Sequence, residues 1–315
     1  MQKLLNKIVC GDCIEVLSKV RKPFADLIFA DPPFNIGYEY DKYNDKVESE
    51  KYIAWTKEWM TACKKVLRPA GSFYIAIGDE YAANVKVIAD ELKLFLRNWL
   101  IWHYTFGQQM KNKFARSHTH IFYFVNDEKN FTFNDCAVRV PSDRQLIYND
   151  KRANPVGKMP DDVWTEYPRV CGTFKERAGW HPCQMPENLL KRIIAVSSNR
   201  RDCVLDPFSG SGTTAAAAYQ LARNYVAIEI SQKYVENARK RLAELKKQQS
   251  SNLFFDFREL SELKRLLCDV EIPVEQIASD QNLLELFTNQ FTLRMNNGRQ
   301  YKAGEVVTAL RDLPG

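Results

Sequence analysis

Short and continuous apolar segments recur along this chain, and polar turns separate them. They span residues 8–9, 27–30, 73–77, 100–106, 121–125, 203–205 and 225–230. A strand with one face in water alternates polar and apolar residues, whereas a strand covered on both faces is apolar throughout. We therefore predict that these segments are interior strands of a largely parallel sheet.

Helical periodicity appears between these segments. In residues 48–67 the side chains of Met60, Cys63 and Leu67 share one helical face, and the Pro-Ala-Gly at 69–71 is expected to end the helix. Residues 232–247 have a second apolar face of this kind. Strands that alternate with helices predict a doubly wound α/β fold with a mostly parallel sheet.

Two parts of the chain depart from this alternation. Residues 130–178 have no clear period and are rich in Asn, Asp, Pro and Gly, which in a compact domain indicates a binding segment. From residue 251 onward, short amphipathic helices form a separate pattern. We predict a main domain at 1–250 and a small helical module at 251–315. Its core is expected to contain Phe287, Phe291, Leu293 and Tyr301.

The composition is typical of a globular protein, with 45% hydrophobic and 27% charged residues. No apolar run approaches the roughly 20 residues that cross a bilayer, and the N-terminus lacks the apolar core of a secretory signal. We therefore expect a cytoplasmic protein. The net charge of +6 is compatible with a polyanionic partner but does not by itself indicate one.

Most of the eight cysteines lie in apolar stretches, as reduced core cysteines do. Cys10 and Cys13 form one CxxC pair, and no second pair at zinc spacing accompanies it. The pattern favours packing in the core over a metal site.

The first motif whose residues could take part in a reaction is Asp31–Pro32–Pro33–Phe34, directly after the apolar segment at 27–30. Open α/β sheets bind ligands at the carboxyl ends of their strands. Two prolines stiffen the backbone and leave carbonyls without competing N–H donors, and Phe34 offers a flat face. These residues suit a planar ring with an amino group and are candidate catalytic residues. A rigid turn at a strand end is the alternative.

The second motif, at residues 206–214, reads Asp-Pro-Phe-Ser-Gly-Ser-Gly-Thr-Thr and precedes an alanine-rich helix. Glycines admit a ligand close to the backbone, and a helix N-terminus offers N–H groups. Glu229 ends the next strand, where an acidic residue accepts hydrogen bonds from ribose hydroxyls, although a solvated strand end remains an alternative. The dinucleotide fingerprint G-x-G-x-x-G is not met, because Ala215 replaces the third glycine. This weakens the hypothesis of an NAD-dependent oxidoreductase without excluding it.

Taken in this order, the two motifs resemble those of DNA amino-methyltransferases of the β arrangement, in which D-P-P-F/Y precedes F-x-G-x-G. Matching segments also lie at 11–13, 67–72, 162–164 and 181–187, and the resemblance covers about residues 7–245. It implies a Rossmann-like methyltransferase fold with a target-recognition region at about 130–178. One departure is Met185, where the family usually has lysine.

The resemblance also implies roles for individual residues. Asp31, Pro33 and Phe34 would hold a base flipped out of duplex DNA, and residues 181–187 would close the pocket. The cofactor would be S-adenosylmethionine, without a metal. The residues assigned to it are Asp12, Cys13, Asp31, His181, Asp206, Phe208, Ser209, Gly210, Ser211, Gly212, Thr213 and Glu229.

The activity that the resemblance implies is site-specific methylation of adenine N6 in double-stranded DNA. Cytosine N4 is the alternative, although cytosine enzymes more often begin the catalytic motif with serine. A further alternative is a catalytically inactive regulator that binds DNA. RNA and protein amide methyltransferases generally place the glycine-rich segment first. Basic residues expected to contact DNA are Lys111, Lys113, Arg116, Arg139 and Arg144.

Such enzymes belong to restriction–modification systems or act alone. A homodimer and a separate restriction endonuclease therefore remain open as partners, and the implied location is the nucleoid region of a prokaryotic cytoplasm. The sequence does not give the recognition site, and the role of 251–315 is open between a packing module, a dimer contact and a second DNA clamp.

Overall fold

A computed structural model describes residues 4–108, 111–140, 142, 144, 147–148, 150–154, 157–172, 174, 176–249, 255, 257–295, 299–311 and 313. The chain divides into two compact units, Met1–Leu242 and Ala243–Gly315. The sequence placed this division at residue 250.

The strands are β1 Lys7–Cys10, β2 Ala25–Ala30, β3 Leu67–Ile77, β4 Phe95–Gln108, β5 Arg116–Val125, β6 Val163–Trp164, β7 Cys203–Asp206 and β8 Asn224–Glu229. The helices are α1 Cys13–Ser18, α2 Ser49–Val66, α3 Asp79–Glu91, α4 Glu187–Ser197, α5 Thr213–Gln220, α6 Gln232–Gln249, α7 Phe257–Val270, α8 Val274–Ser279, α9 Gln281–Met295 and α10 Ala303–Arg311. A short 3-10 helix spans Asp135–Ala137. Each apolar segment predicted to be a strand lies in one, apart from Ile230 at the end of the last.

The strands form a single sheet in the order β1-β8-β7-β2-β3-β5-β4-β6. Neighbours from β1 to β3 are parallel, β5 is antiparallel to both β3 and β4, and β6 is parallel to β4. The predicted mostly parallel α/β sheet is confirmed. Because β1, β8, β7 and β2 are parallel neighbours, their carboxyl ends meet at one edge of the sheet.

The core of the first unit lies between the sheet and the helices that cover it. Phe24, Ile28, Trp59, Phe73 and Phe124 are among its fully buried side chains. The interior strands are buried on both faces, and for this reason their sequences are apolar throughout. Among the described residues, no helix is long and apolar enough to span a membrane.

The second helix ends within one residue of the predicted position, but the residues expected to stop it belong to a strand. α2 ends at Val66, and the segment from Leu67 through Pro69 to Gly71 already belongs to β3. Asn126 holds this segment extended, because its backbone N–H donates to the Gly71 carbonyl and its side chain donates to the Arg68 carbonyl. Tertiary hydrogen bonds therefore end the helix before the proline that was expected to end it.

The irregular segment at 130–178 also contains a strand that its sequence did not indicate. β6 is two residues long and pairs with Ile101 and Trp102 of β4. A pairing this short leaves no periodicity in the sequence.

The second unit is helical and has its own core. Phe287, Phe291 and Tyr301 are buried there as predicted, but Leu293 is 70% exposed. Phe287, Phe291 and Met295 recur every four residues along α9, and Leu293, two residues after Phe291, lies on the opposite side of the helix.

Candidate functional site

The glycine-rich turn after β7 is shaped by contacts that exclude side chains. Gly210 and Gly212 have positive φ angles of 47° and 75°. A Cβ atom on Gly210 would lie 2.7 Å from Nε2 of His181, and one on Gly212 would lie 2.9 Å from Cβ of Ala238. The backbone therefore passes closer to its neighbours than any other residue would allow.

Glu229 ties this turn to the end of β8. One carboxylate oxygen accepts the Gly210 N–H at 2.9 Å, and the other accepts the Ser231 N–H at 2.8 Å. Burial raises the pKa of the Glu229 carboxyl. Since a carboxylate has about four acceptor positions, Glu229 retains capacity for hydroxyl donors.

A cavity of about 1020 Å³ opens at this edge of the sheet, and we call it the turn cavity. Its lining includes Asp12, Asp31, Tyr43, Trp55, His181, Asp206, Phe208, Gly210, Glu229 and Tyr234. Phe208 packs edge-on against Trp55 with ring centroids 5.6 Å apart, and Tyr43 packs on Trp55 at 5.5 Å. The cavity therefore combines an aromatic wall with several carboxylates.

Residues 31–34 follow the carboxyl end of β2 and lie at the same edge of the sheet as the turn cavity. The Tyr52 hydroxyl donates to the Pro33 carbonyl at 2.6 Å, whereas the Pro32 carbonyl accepts no hydrogen bond from any described residue. Phe34 packs on Gly78, where a Cβ atom would lie 3.3 Å from its ring. In the part of the chain that the structure describes, no group donates to the Asp31 carboxylate. Asp31 and Pro32 therefore offer two acceptors near one aromatic face.

The loop after Phe34 is fixed by one buried carboxylate. Asp45 accepts backbone N–H groups from Asn35 at 2.7 Å, Ile36 at 3.2 Å and Tyr38 at 2.9 Å. Charged acceptors make strong hydrogen bonds, so this loop is held in one conformation. It carries Tyr38 and Tyr40 toward the site.

A second cavity of about 2090 Å³ lies next to the first, and we call it the hairpin cavity because β4 and β5 form one wall. That wall includes Trp102 and Tyr104 from β4 and Arg116, His118 and Thr119 from β5. Pro32, Phe34, Tyr38, Arg169 and Gln184 also line it. Asp31, Tyr40, Cys183 and Met185 line both cavities. The two spaces therefore adjoin at these four residues, of which Asp31 belongs to the first motif.

Among the described residues, no lysine or arginine lowers the pKa of Asp31 or Asp206, although Lys42 also lines the turn cavity. Burial raises the pKa of Asp31 to about 7, and the neighbouring Asp206 adds to the rise. Burial also raises the pKa of Asp206 to about 7. His181 has its pKa lowered to about 4 by burial, so its imidazole is neutral near pH 7. A bound cation would relieve the repulsion between the two carboxylates.

An arginine of α6 supports the glycine turn from behind. The Arg241 guanidinium donates to the Ser211 carbonyl at 3.2 Å and to the Thr213 hydroxyl at 2.9 Å. It also pairs with Glu187 at 3.4 Å, and Glu187 in turn pairs with Lys191 at 2.9 Å. The first residue of α4 is thus linked to the turn through one half-buried arginine.

The structure brings together most residues predicted for the cofactor. All of them line the turn cavity except Gly212, which packs against α6 instead. Asp12 lines the cavity, but its carboxylate also caps α1 by accepting the Ile14 and Glu15 N–H groups. Of the predicted catalytic residues, Asp31 lines both cavities, Pro33 lines the turn cavity, and Pro32 and Phe34 line the hairpin cavity.

The five basic residues predicted to contact DNA have different surroundings. Lys111 and Lys113 are exposed in the connection between β4 and β5. Arg116 lines the hairpin cavity and pairs with Asp79 at 2.7 Å. Arg139 pairs with Asp135 and donates to the Gly157 carbonyl, and Arg144 lies 3.7 Å from Asp150. Arg139 therefore has internal partners, and its contact with DNA stays a prediction.

Several lining residues were missed from sequence, notably Tyr40, Tyr43 and Trp55 in the turn cavity and Tyr104 and Arg169 in the hairpin cavity. The three tyrosines at 38, 40 and 43, close after the first motif, were the available signal for the loop. Cys13 is buried and Cys10 is exposed. Among the described residues, no group of three or more His, Cys, Asp or Glu side chains is arranged to hold a metal ion.

Comparison with known proteins identifies the family of this chain. A family model described as DNA methylase matches residues 25–240, which is more than half of the chain. The chain belongs to the DNA methylase family. The resemblance to DNA amino-methyltransferases is thereby confirmed.

Individual relatives of this family agree. The type II methyltransferase M.HpaI of Haemophilus parainfluenzae is 35% identical over 238 residues, which cover 75% of this chain and 74% of that protein. The DNA adenine methyltransferase YhdJ of Escherichia coli is 37% identical over 267 residues, which cover 78% of this chain and 89% of that protein.

Solved DNA methylase structures show the same fold. PvuII DNA methyltransferase, specific for cytosine N4, superposes with a TM-score of 0.58 at 17% identity, over 80% of this chain and 94% of that one. M1.HpyAVI, solved as a complex with SAM, gives a TM-score of 0.53 at 21% identity, over 75% of this chain and 98% of that one.

Proposed function

We propose that this protein transfers the methyl group of S-adenosylmethionine to adenine N6 of a base flipped out of duplex DNA. The observation that carries the proposal is the meeting of two cavities at Asp31, whose carboxylate has no donor among the described residues. A group transfer between two ligands requires adjoining spaces with the reacting atoms near their junction.

The turn cavity suits S-adenosylmethionine. The glycine turn admits the ligand close to the backbone, and the wall of Tyr43, Trp55 and Phe208 suits its adenine ring. Glu229 retains acceptor positions for ribose hydroxyls. Asp31 and Asp206, whose pKa values burial has raised, suit a ligand that carries positive charge. One family relative of known structure is a complex with SAM.

The hairpin cavity suits a base with an amino group. Asp31 and the Pro32 carbonyl would accept the two amino hydrogens, and Phe34 would lie against the ring. These hydrogen bonds would draw the nitrogen lone pair out of conjugation with the ring. The cofactor supplies an already activated methyl group, so positioning rather than acid–base strength governs the rate. The Asp31 carboxylate would stabilise the positive charge that develops on nitrogen.

Cytosine N4 is the second candidate. The fold is shared with the cytosine-N4-specific PvuII enzyme. Adenine is favoured because Asp31 begins the motif and because the relative YhdJ is named an adenine methyltransferase.

We further propose that residues 130–178 read the target sequence and that Lys111, Lys113 and Arg116 contact phosphates. We also propose a partner endonuclease, because two relatives are named type II methyltransferases. A homodimer and a cytoplasmic, nucleoid-associated location stay predictions, and the 251–315 module has no assigned role.

Nucleoside analysis tests this proposal. Unmethylated duplex DNA would be incubated with the protein and methyl-labelled S-adenosylmethionine, digested and separated. We expect label in N6-methyladenine. Label in N4-methylcytosine would move the assignment to the second candidate, and no label in DNA or RNA of varied sequence would contradict methyl transfer to nucleic acid.

A further inference from the structure

The connection between β4 and β5 carries the most exposed large apolar side chain of the described residues. Phe114 is 99% exposed, whereas the next in order, Tyr148, is 73% exposed. An aromatic ring in water is stabilised when another molecule covers it, and such exposure commonly marks a contact site. Phe114 takes no part in the core of either unit.

Phe114 lies close in the chain to residues that line the hairpin cavity. Trp102 and Tyr104 of β4 and Arg116 and His118 of β5 form one wall of that cavity. Phe114 precedes Arg116 by two residues, so their Cα atoms are at most about 7 Å apart. The Phe114 part of this connection therefore lies next to one wall of the hairpin cavity.

The charges around Phe114 indicate what covers it. Lys111 and Lys113 are exposed on the same connection, and no carboxylate is paired with either among the described residues. Arg116 follows at the cavity wall. An exposed aromatic ring with lysines beside it suits a nucleic acid, because the lysines attract phosphates while the ring stacks on bases. Two exposed lysines beside the ring favour a polyanion over a neutral or basic protein surface.

We propose that Phe114 enters the base stack of the DNA at the position that the flipped base leaves, while Lys111 and Lys113 contact the flanking phosphates. This inference rests on the proposed function. Apolar side chains enter base steps in other DNA-binding proteins and offset the stacking that is lost. In this arrangement Phe114 is a positioning residue, because it holds the base outside the helix and does not touch the reacting atoms.

The test uses 2-aminopurine, whose fluorescence rises when it leaves the stack. The probe would be a duplex built on the sequence that the wild-type enzyme methylates in unmethylated plasmid DNA, with 2-aminopurine at the target position. We expect Phe114→Ala to lose most of the fluorescence rise and to lower kcat/KM for DNA by about 10- to 100-fold, the range of base stacking on an aromatic side chain. Phe114→Trp should retain the fluorescence rise and the wild-type kcat/KM for DNA.

Two further measurements separate this role from a structural or electrostatic one. A mismatch at the target, which already weakens stacking, should restore most of the activity of Phe114→Ala. Lys113→Ala should weaken DNA binding and reduce its salt dependence by about one phosphate, yet keep the fluorescence rise. Val87→Ala, at a 57% exposed position of α3, is the matched control and should change neither.

Wild-type fluorescence and activity in Phe114→Ala would overturn the inference and leave the proposed function intact. A change in subunit association without a change in base flipping would assign Phe114 to a protein contact instead. Absence of methylation by the wild-type protein would overturn the proposed function itself and this inference with it.

Discussion

The turn cavity and the hairpin cavity share Asp31 but are built in different ways. The turn cavity is formed where parallel strands end, so Asp31, Asp206 and Glu229 converge on it from three adjacent strands. The hairpin cavity is formed by the antiparallel pair β4 and β5 together with loops. The first construction fixes a ligand by backbone geometry, whereas the second presents side chains that can vary without disturbing the parallel sheet. One cavity therefore suits a constant cofactor and the other a substrate that differs between relatives.

Removal of the shared carboxylate should separate binding from chemistry most strongly. We expect Asp31→Ala to lower the methyl-transfer rate by about 1,000-fold, in the range seen when one transition-state-stabilising group is lost. Cofactor affinity should change only a few-fold, because the glycine turn and Glu229 remain. Single-turnover kinetics and calorimetry would measure the two effects. Full activity in Asp31→Ala would contradict the catalytic assignment.

Substitutions in the hairpin cavity should raise the KM for DNA and leave the KM for S-adenosylmethionine unchanged. The Arg169 guanidinium lies 5.8 Å from the centroid of the Tyr104 ring and donates to the Tyr38 hydroxyl at 3.5 Å. We expect Arg169→Gln to raise KM for DNA by about 10- to 100-fold, since hydrogen bonds to charged groups contribute about 1.5–3 kcal/mol.

Arg97→Gln is the matched control, because the Arg97 guanidinium lies 4.8 Å from the centroid of the Phe131 ring and Arg97 lines neither cavity. It should leave KM for DNA near the wild-type value. An equal rise in KM for S-adenosylmethionine in Arg169→Gln would show that the two cavities are not functionally distinct.

Substitutions around the turn cavity should raise the KM for S-adenosylmethionine and leave the KM for DNA unchanged. We expect Arg241→Met to raise KM for S-adenosylmethionine by about 10-fold, because the Ser211 carbonyl and the Thr213 hydroxyl lose a charged donor. Arg241→Lys should recover part of this loss. Arg239→Met, on the same helix but bonded to the Ile8 carbonyl, is the control. A rise in KM for DNA alone would refute the positioning role of Arg241.

Acidic pH should weaken binding of the charged cofactor more than binding of its neutral product. Asp31 and Asp206 have raised pKa values near 7, so both are largely protonated at pH 5.5 and ionised at pH 8. The ratio of affinities for S-adenosylmethionine and S-adenosylhomocysteine should therefore rise with pH through about 7. We expect a change of about 3- to 10-fold, measured by calorimetry. Asp206→Asn should reduce it, and a ratio independent of pH would argue against the electrostatic account.

The contrast between the cavities also explains what the sequence could predict. The turn cavity follows from local patterns: an acidic residue after an apolar strand, and glycines where the backbone approaches His181 and Ala238. Its assigned residues, apart from Gly212, all line it. The parallel order of the strands was also predictable, because strands buried on both faces are apolar throughout.

The hairpin cavity was less accessible to sequence reasoning. Tyr104 and Arg169 lie in segments without a motif, and β4 has an ordinary apolar strand sequence. Which of its side chains face the cavity depends on the register with β5, in which His103 lies opposite His118. A shift of one residue would turn the other set inward, and no local pattern in the chain sets that register.

Binding of a bisubstrate compound tests most directly the claim that donor and acceptor meet at Asp31. The compound would join the N6 atom of adenosine to the sulfonium position of S-adenosylmethionine, so that it occupies both cavities. We predict that the wild-type protein binds it at least about 100-fold more tightly than S-adenosylhomocysteine, as expected for two linked ligands in adjoining sites. In Asp31→Ala much of this gain should disappear. Binding no tighter than that of S-adenosylhomocysteine would contradict the account.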